Sequence, residues 1–555
     1  MLREKLIALC LILLAAFAVN SPQVFAQKHL PIFVDVTEQA GINFTHSFGD
    51  KKLSSILEAT GPGCAFLDYD MDGDLDIYAV NGAYLPGIND PYPEGRDPKE
   101  ELFNRLYRNN GDGTFTDVTQ EAGVGDTGYG IGVVVGDYDN DGDTDIYVAN
   151  YGPNVLYRNN GDGTFTDVTQ KAGVVGPHQL NGFTKWSLHG CFFDYDKDGW
   201  LDLYVGNYLA FDPEYRYYFA PEGFPGPLAY DGQTDILYHN NGDGTFTDVT
   251  KEAGVYNPQG RAMSVGAADF DNDGNMDIFV ANDAMENYLY RNNGNGTFTD
   301  VALVQGVAFG EFGEATSSMG PAFGDFDNDG DLDLFVPDMG YTCLYRNDGK
   351  WFEEITTVAR IAEVAGQYTS WAPIVFDYDN DGYQDIFITN GDAHHLYTEE
   401  DLLLKNRGDM SFEDVSLQSG DYFSSAEYVG RGAAFGDYDN DGDVDIFVMN
   451  MNGPAVLLRN DGGNRNHWLT VRTVGTKSNR GGIGARIEVT AGALKQTNEV
   501  RAGGGYLSSS DLRVHFGLGE HTKVDFLKIR WPSGIVQTLK DVKADQILTV
   551  TEPKQ

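Results

Sequence analysis

The chain has 555 residues, 84 acidic against 38 basic, and a formal charge of -46. A surface this negative excludes a nucleic-acid binder, which needs a basic footprint. Acidity often accompanies disorder, but 41% hydrophobic and 13% aromatic residues supply a large folded core.

The first predicted element is an export signal over residues 1–26. Arg3 and Lys5 precede an apolar run from Leu6 to Val19, and Val24-Phe25-Ala26 sets small residues where a signal peptidase reads. The run is short for a bilayer span, and no later segment is apolar enough to make one. Beyond Cys10 in that run, Cys64, Cys191 and Cys343 remain. An odd number, with Cys64 and Cys191 on small-residue strand positions, reads as buried thiols, not as a disulfide scaffold.

Next comes a strand, Phe33-Val-Asp-Val-Thr37, and then an acidic loop that recurs seven times with the formula D-x-D-x-D-G-x-x-D. The first three copies contribute Asp68, Asp70, Asp72 and Asp76; Asp137, Asp139, Asp141 and Asp145; and Asp194, Asp196, Asp198 and Asp202. The fourth and fifth contribute Asp269, Asp271, Asp273 and Asp277, then Asp325, Asp327, Asp329 and Asp333. The last two contribute Asp377, Asp379, Asp381 and Asp385, then Asp437, Asp439, Asp441 and Asp445. Carboxylates at positions 1, 3, 5 and 9, a carbonyl at 7 and a turn-forming glycine at 6 wrap the chain around a cation. An all-oxygen donor set points to Ca²⁺, up to seven ions. No glutamate follows at position 12, and strands rather than helices flank the loop, so this is not an EF-hand. The position-7 acids Asp74, Asp143, Asp331 and Asp443 are expected to point outward.

Around each loop the pattern predicts four short strands. Gly132–Gly136 precedes the loop at Asp137, Ile146–Asn150 follows it, and Leu156–Asn159 leads through a Gly-rich turn into Phe165-Thr-Asp-Val-Thr169. Seven such units predict an all-β fold, a seven-bladed β-propeller over residues 27–462. Six repeats end in a strand of this last type, and the seventh lacks one. Strand 33–37 therefore completes the last blade and removes an open edge.

These loops resemble the FG-GAP/VCBS repeats of integrin α-subunit propellers over roughly residues 33–462. After residue 462 the pattern stops, and basic residues outnumber acidic ones. Alternating runs such as Trp468–Val471 and Phe526–Arg530 predict a small β-sandwich-like domain over 463–555. The stretches "NHWLTVRTVGTKSNRGGIGARIEVTAG", "EVRAGGGYLSSSDLRVHFGLG" and "LKIRWPSGIVQTL" resemble the ASPIC/UnbV domain. Together the two parts are similar to the cartilage acidic protein family. That resemblance implies an exported, Ca²⁺-binding protein with a surface or matrix role and brings no catalytic residues. Ser478, Asn479, Arg480, Arg486, Arg501, Ser508–Ser510 and Asp511 read either as an anion or sugar site or as turn chemistry and docking on the acidic ring. The second reading is favoured.

The long insertions Gly82–Arg105, Tyr208–Asp235 and Gly391–Leu402 fall on the face opposite the acidic loops, where binding commonly resides. His178, Trp186, His189, Tyr215, Arg216, Tyr217 and Tyr218 are the candidate ligand-binding residues, an aromatic platform suited to a carbohydrate or peptide. Three functions follow: non-catalytic recognition or adhesion at a cell surface or in a matrix, an enzyme acting on extracellular polysaccharide, and a structural subunit of an exported complex. His178, His189, His394 and His395, with Arg216 and Tyr217, could supply acid–base groups, but no spacing selects them. The favoured reading is a non-catalytic, exported monomer with a protein or carbohydrate partner.

Overall fold

The computed structural model describes residues 30–50, 52–89, 102–215, 223–425 and 428–554. The export signal, Arg216, Tyr217, Tyr218 and part of the first insertion lie outside the described residues. From Cys64 to Asp461, seven antiparallel sheets built on four-stranded meanders follow one another, the fourth gaining a short fifth strand, Thr316–Ser317. Each is a meander like Tyr129–Gly136, Asp145–Tyr151, Val155–Asn159 and Phe165–Asp167, with the acidic loop joining its first two strands. The sheets are numbered below as blades 1 to 7 in the order of their loops. In the last blade, Gly430–Gly436, Asp445–Asn450 and Val456–Asp461 take Ile32–Asp35 as outer strand, with Phe33 opposite Asn460.

First strands pack on first strands around a common axis, and blade 7 returns to blade 1. Small residues make this approach possible: a Cβ on Gly132 would lie 2.0 Å from the Leu188 carbonyl oxygen of blade 3. Blade-to-blade packing repeats one aromatic pair. The residue at loop position 2 meets the phenylalanine opening the next blade's outer strand, as in Tyr69–Phe165 at 6.0 Å, Tyr138–Phe246 at 5.6 Å and Phe270–Phe352 at 5.9 Å. Phe33 takes that place in blade 7, 6.4 Å from Tyr378. Cys64, Cys191 and Cys343 are free and buried.

The C-terminal part forms two sheets. His467–Val474 lies between Val514–Gly519 and Ile547–Thr551, and the other sheet runs Leu494–Glu499, Arg486–Ala491, Lys523–Arg530, Val536–Lys543. Leu469, Val471, Ile487, Val489, Leu527 and Ile529 form the apolar layer between them.

The strap 501–511 leaves this domain and enters the propeller axis. Inner strands expose unpaired backbone groups there, and the strap satisfies them. Ser509 N donates to Cys64 O at 2.9 Å, Phe66 N to Ser509 O at 3.0 Å and Val133 N to Leu507 O at 3.0 Å. Gly505 N donates to Pro321 O at 2.7 Å, Ser264 Oγ to Gly505 O at 2.7 Å, and Tyr506 Oη to Thr60 O at 2.9 Å. The strap thus occupies the axis on the side of blades 1 to 3 and lines a cavity with the inner strands of blades 4 to 7.

Candidate metal centre

Each acidic loop is shaped by its own backbone. Glycine at position 6 sits at φ between 88° and 105°, and the residue at position 4 is also left-handed, at φ between 54° and 62°. Asparagine tolerates that region better than most residues, and five loops place it there. The aspartate at position 1 accepts the amide of position 6, as Asp137 does from Gly142 at 2.9 Å and Asp325 from Gly330 at 3.2 Å. The aspartate at position 9 ties loop to blade: Asp145 accepts Tyr138 N at 3.0 Å and Asn159 N at 2.8 Å.

The carboxylates converge. In the loops of blades 1 and 2, oxygens of positions 1, 3 and 9 lie within 4.8 Å of one another, and in blades 3 and 4 those of positions 1, 3 and 5 do. One buried oxygen in each of Asp68, Asp139, Asp194, Asp269 and Asp325 has no hydrogen-bond donor. A buried carboxylate oxygen with no donor is what a hard cation satisfies, and the donor set holds only oxygen in most loops. These residues therefore fit a calcium ion. Burial, reinforced by neighbouring carboxylates, pushes Asp76 and Asp194 up to about 8 and Asp137, Asp325 and Asp437 up to about 7. Without a cation, neutral pH would leave these groups partly protonated.

Two asparagine systems lock the loops together. The third-strand asparagine of each blade reaches the position-2 carbonyl of the blade before it. Asn240 Nδ2 donates to Tyr138 O at 2.9 Å, Asn292 Nδ2 to Tyr195 O at 2.7 Å, and Asn460 Nδ2 to Tyr378 O at 2.8 Å. The position-4 asparagine reaches forward: Asn140 Nδ2 to Gly199 O and Asn328 Nδ2 to Gly382 O, both at 2.9 Å. Sequence reading missed both systems, although the repeated "RNN" and "DND" triplets carried the signal. Of the position-7 acids, Asp74 and Asp331 accept a position-4 asparagine from the adjoining loop, at 2.7 and 2.5 Å. Asp443 corrects the outward expectation: it is buried and accepts Gly462 N and Asn464 N, which hold the chain leaving the ring.

The basic C-terminal domain covers this loop face. Arg530 pairs with Asp269, Arg486 donates to Gly330 O, and Arg513 donates to Asp437 O and Asn440 Oδ1, both at 2.9 Å. Arg480 N donates to Asn140 at 2.8 Å, and Arg501 Nη2 to Phe323 O at 2.9 Å. Ser478 and Asn479 form an internal turn with Glu552 and Ile483. The polar set read two ways from sequence is thus engaged in docking and turn formation.

The four candidate ligand residues among the described residues, His178, Trp186, His189 and Tyr215, do not form one platform. Trp186 is fully buried, its ring 4.9 Å from Tyr208 and 5.8 Å from Phe211, because it leads directly into the inner strand of blade 3. His189 is buried on that strand, its Nδ1 2.9 Å from Ser264 Oγ, and burial lowers it to about 4. Both corrections have one cause: the chain turns inward before these residues instead of continuing as loop. His178 and Tyr215 are exposed. Around Tyr215 the insertions build an aromatic surface that sequence reading only sketched. Tyr215 lies 5.6 Å from Tyr230, Phe224 stacks on His394 at 5.5 Å across two insertions, and His395 stacks on Tyr397 at 4.7 Å. Tyr397 is 63% and Leu228 73% exposed.

Residues 68–148, 137–205, 228–280, 269–336 and 377–448 match the FG-GAP-like repeat, together more than half of the chain. Residues 475–555 match the ASPIC and UnbV domain. Cartilage acidic protein 1 of Mus musculus is 26% identical over 384 residues, which is 65% of this chain and 54% of the relative. The Homo sapiens protein of that name is 27% identical over 326 residues, 55% of this chain and 46% of the relative. The chain spans about half the length of the curated relatives it matches. Among solved structures, an Agrocybe aegerita lectin that recognises non-reducing terminal N-acetylglucosamine aligns with 71% of this chain and 86% of its own, at 18% identity and TM-score 0.39. YCF48 bound to D1 peptide aligns with 74% of this chain and 94% of its own, at 9% identity and TM-score 0.40.

Proposed function

The chain belongs to the FG-GAP-like repeat family, and from that premise we propose that it is an exported, calcium-binding recognition protein of a cell surface or extracellular matrix, without catalytic activity. The observation that carries the calcium reading is the buried carboxylate oxygen without a hydrogen-bond donor that recurs from loop to loop. Calcium, when bound, neutralises the clustered carboxylates. The aspartates at positions 1, 3, 5 and 9 hold it, while the two asparagine systems keep neighbouring loops in register.

Because the C-terminal domain lies over the loops and its strap occupies part of the axis, recognition belongs to the opposite face. The exposed rings of Tyr215, His395 and Tyr397 on 208–235 and 391–402 support that placement, since exposed aromatics on a rigid scaffold suit a sugar or a peptide. The similarity to cartilage acidic protein 1 supports a matrix or surface setting. The test is to incubate the full chain with a panel of polysaccharides and matrix proteins, with calcium and with chelator. Calcium-dependent retention and no released fragments are expected. Fragments in the liquid would make the protein an enzyme, and retention unchanged by chelator would remove the metal from the function.

A further inference from the structure

One register position on the third strand distinguishes the seven loops. It immediately precedes the interblade asparagine and is arginine in five blades, His239 in blade 3 and Lys405 in blade 6. Three of the arginines stabilise the charge of the position-3 aspartate from a distance but make their hydrogen bonds and ion pairs outside the loop: Arg158 Nη2 donates to Asn160 at 3.2 Å, Arg346 pairs with Glu353 at 2.6 Å and Arg459 with Asp461 at 2.7 Å.

Lys405 pairs directly with the loop itself. Its ammonium pairs with Asp379 and, at 2.8 Å, with Asp381, the carboxylates of positions 3 and 5. It lies 5.3 Å from the ring centre of Tyr378 at position 2, and its side chain is 20% exposed. Asp377 and Asp385, positions 1 and 9 of the same loop, are buried. Nζ thus sits where the carboxylates gather. An ammonium brings positive charge and three donors into that space, and a divalent ion cannot share it.

The other cationic approaches differ in kind rather than in leaving an oxygen without a donor, since Asp379 Oδ1 of the blade 6 loop also has none while Oδ2 pairs with Lys405. Arg530 reaches Asp269 from the C-terminal domain, and Asp269 Oδ1 keeps no donor. His239 Nδ1 lies 3.1 Å from Asp202 Oδ1 and 3.5 Å from Asp196 Oδ2, but an imidazole nitrogen is itself a metal ligand.

Resting on the calcium reading above, we infer that Lys405 takes the place of calcium in the blade 6 loop, so that the ring binds six ions rather than seven. The consequence lies in docking. This loop is held closely by the C-terminal domain: Asn466 Nδ2 donates to Asp379 O at 2.7 Å, Gly519 N donates to Asn380 O at 2.8 Å, and His515 Nε2 lies 2.6 Å from Asn380 Oδ1. With a lysine built in, that attachment does not wait for calcium.

The experiment is crystallographic, on the full chain grown with calcium, using anomalous scattering to locate the ions. Peaks in six loops and none in blade 6 are expected. A peak in blade 6 with Lys405 displaced overturns this inference and leaves the calcium reading standing, whereas peaks in no loop overturn both. In solution, calcium titration of chelator-treated protein should give six ions per chain, rising to seven in Lys405→Met. A folded Lys405→Met that still binds six also overturns the inference, and if that variant fails to fold, the wild-type crystals decide alone.

Discussion

Two adjacent asparagines, Asn240 and Asn241, offer a sharp test of what holds the ring together. Asn240 is 1% exposed; its Nδ2 donates to Tyr138 O of blade 2 and to Leu201 O, both at 2.9 Å, and its Oδ1 accepts Gly242 N at 3.0 Å. Asn240→Ala removes three hydrogen bonds and leaves their backbone partners inside a blade interface. At about 1 kcal/mol per bond plus the penalty for unsatisfied buried groups, the loss is about 3–5 kcal/mol. Asn241 also makes hydrogen bonds, to Thr245 Oγ1 at 3.0 Å and from Thr247 Oγ1 at 3.1 Å, but both are exposed. Asn241→Ala should therefore cost about 0.5 kcal/mol or less. The assay is urea unfolding of both variants in saturating calcium, read by tyrosine and tryptophan fluorescence. A clear fall in midpoint for Asn240→Ala alone is expected. Equal midpoints for the two variants would refute the claim that the blade-to-blade carboxamides carry stability.

Metal-free protein should become less stable as pH rises. Asp76, Asp137, Asp194, Asp325 and Asp437 are raised in the folded state to about 7–8, against about 4 when unfolded. Their contribution is complete below the unfolded value and is lost as pH climbs through the folded one. Thermal unfolding with chelator and with calcium should thus differ far more at pH 8 than at pH 5, and an equal difference at both would count against the reading. Gly517→Ala places a Cβ 2.0 Å from Asp377 Oδ2 and 2.5 Å from Asn380 Cα, whereas at Gly481 it meets only Ile483 at 3.8 Å or beyond. Limited proteolysis of the strap should accelerate in the first variant and stay unchanged in Gly481→Ala. Phe33→Ala removes a 1%-exposed ring packed on Phe376, Tyr378 and Phe423. It should cost about 3–5 kcal/mol, seen as a lower melting temperature; no shift would mean that the outer strand of blade 7 does not hold the ring shut.

The repeating loops made the sheets legible, because each loop formula marks a hairpin whose flanking strands alternate with period two. What stayed hidden was whatever joins one repeat to another. Asn240 and Tyr138 stand 102 residues apart, and Tyr506 and Thr60 stand 446 apart. No periodicity links such partners. The strap was harder still: Gly503-Gly-Gly-Tyr-Leu-Ser-Ser-Ser510 has no alternation and mostly offers backbone to backbone, so its small polar residues could equally have lined a ligand site. Trp186 failed for a different reason. Adjacency to a long connection suggested a surface, while its side chain faces Tyr151, Tyr208 and Phe211.

The distribution of polar groups assigns different work to the two faces. On the acidic face the domain's arginines approach loop backbone as often as carboxylate: Arg486 and Arg513 donate to carbonyls of Gly330 and Asp437. Such contacts survive when calcium takes the carboxylates, so at those loops metal and domain can hold the backbone together, whereas Arg530 shares Asp269 with any ion in blade 4. A ligand arriving from solvent would have to displace that domain to reach the ions. On the far face no comparable cover exists among the described residues, and Tyr397, Leu228 and Tyr215 remain exposed there. On the proposed reading, calcium acts on recognition at a distance, by fixing the blades whose opposite ends carry the aromatic insertions.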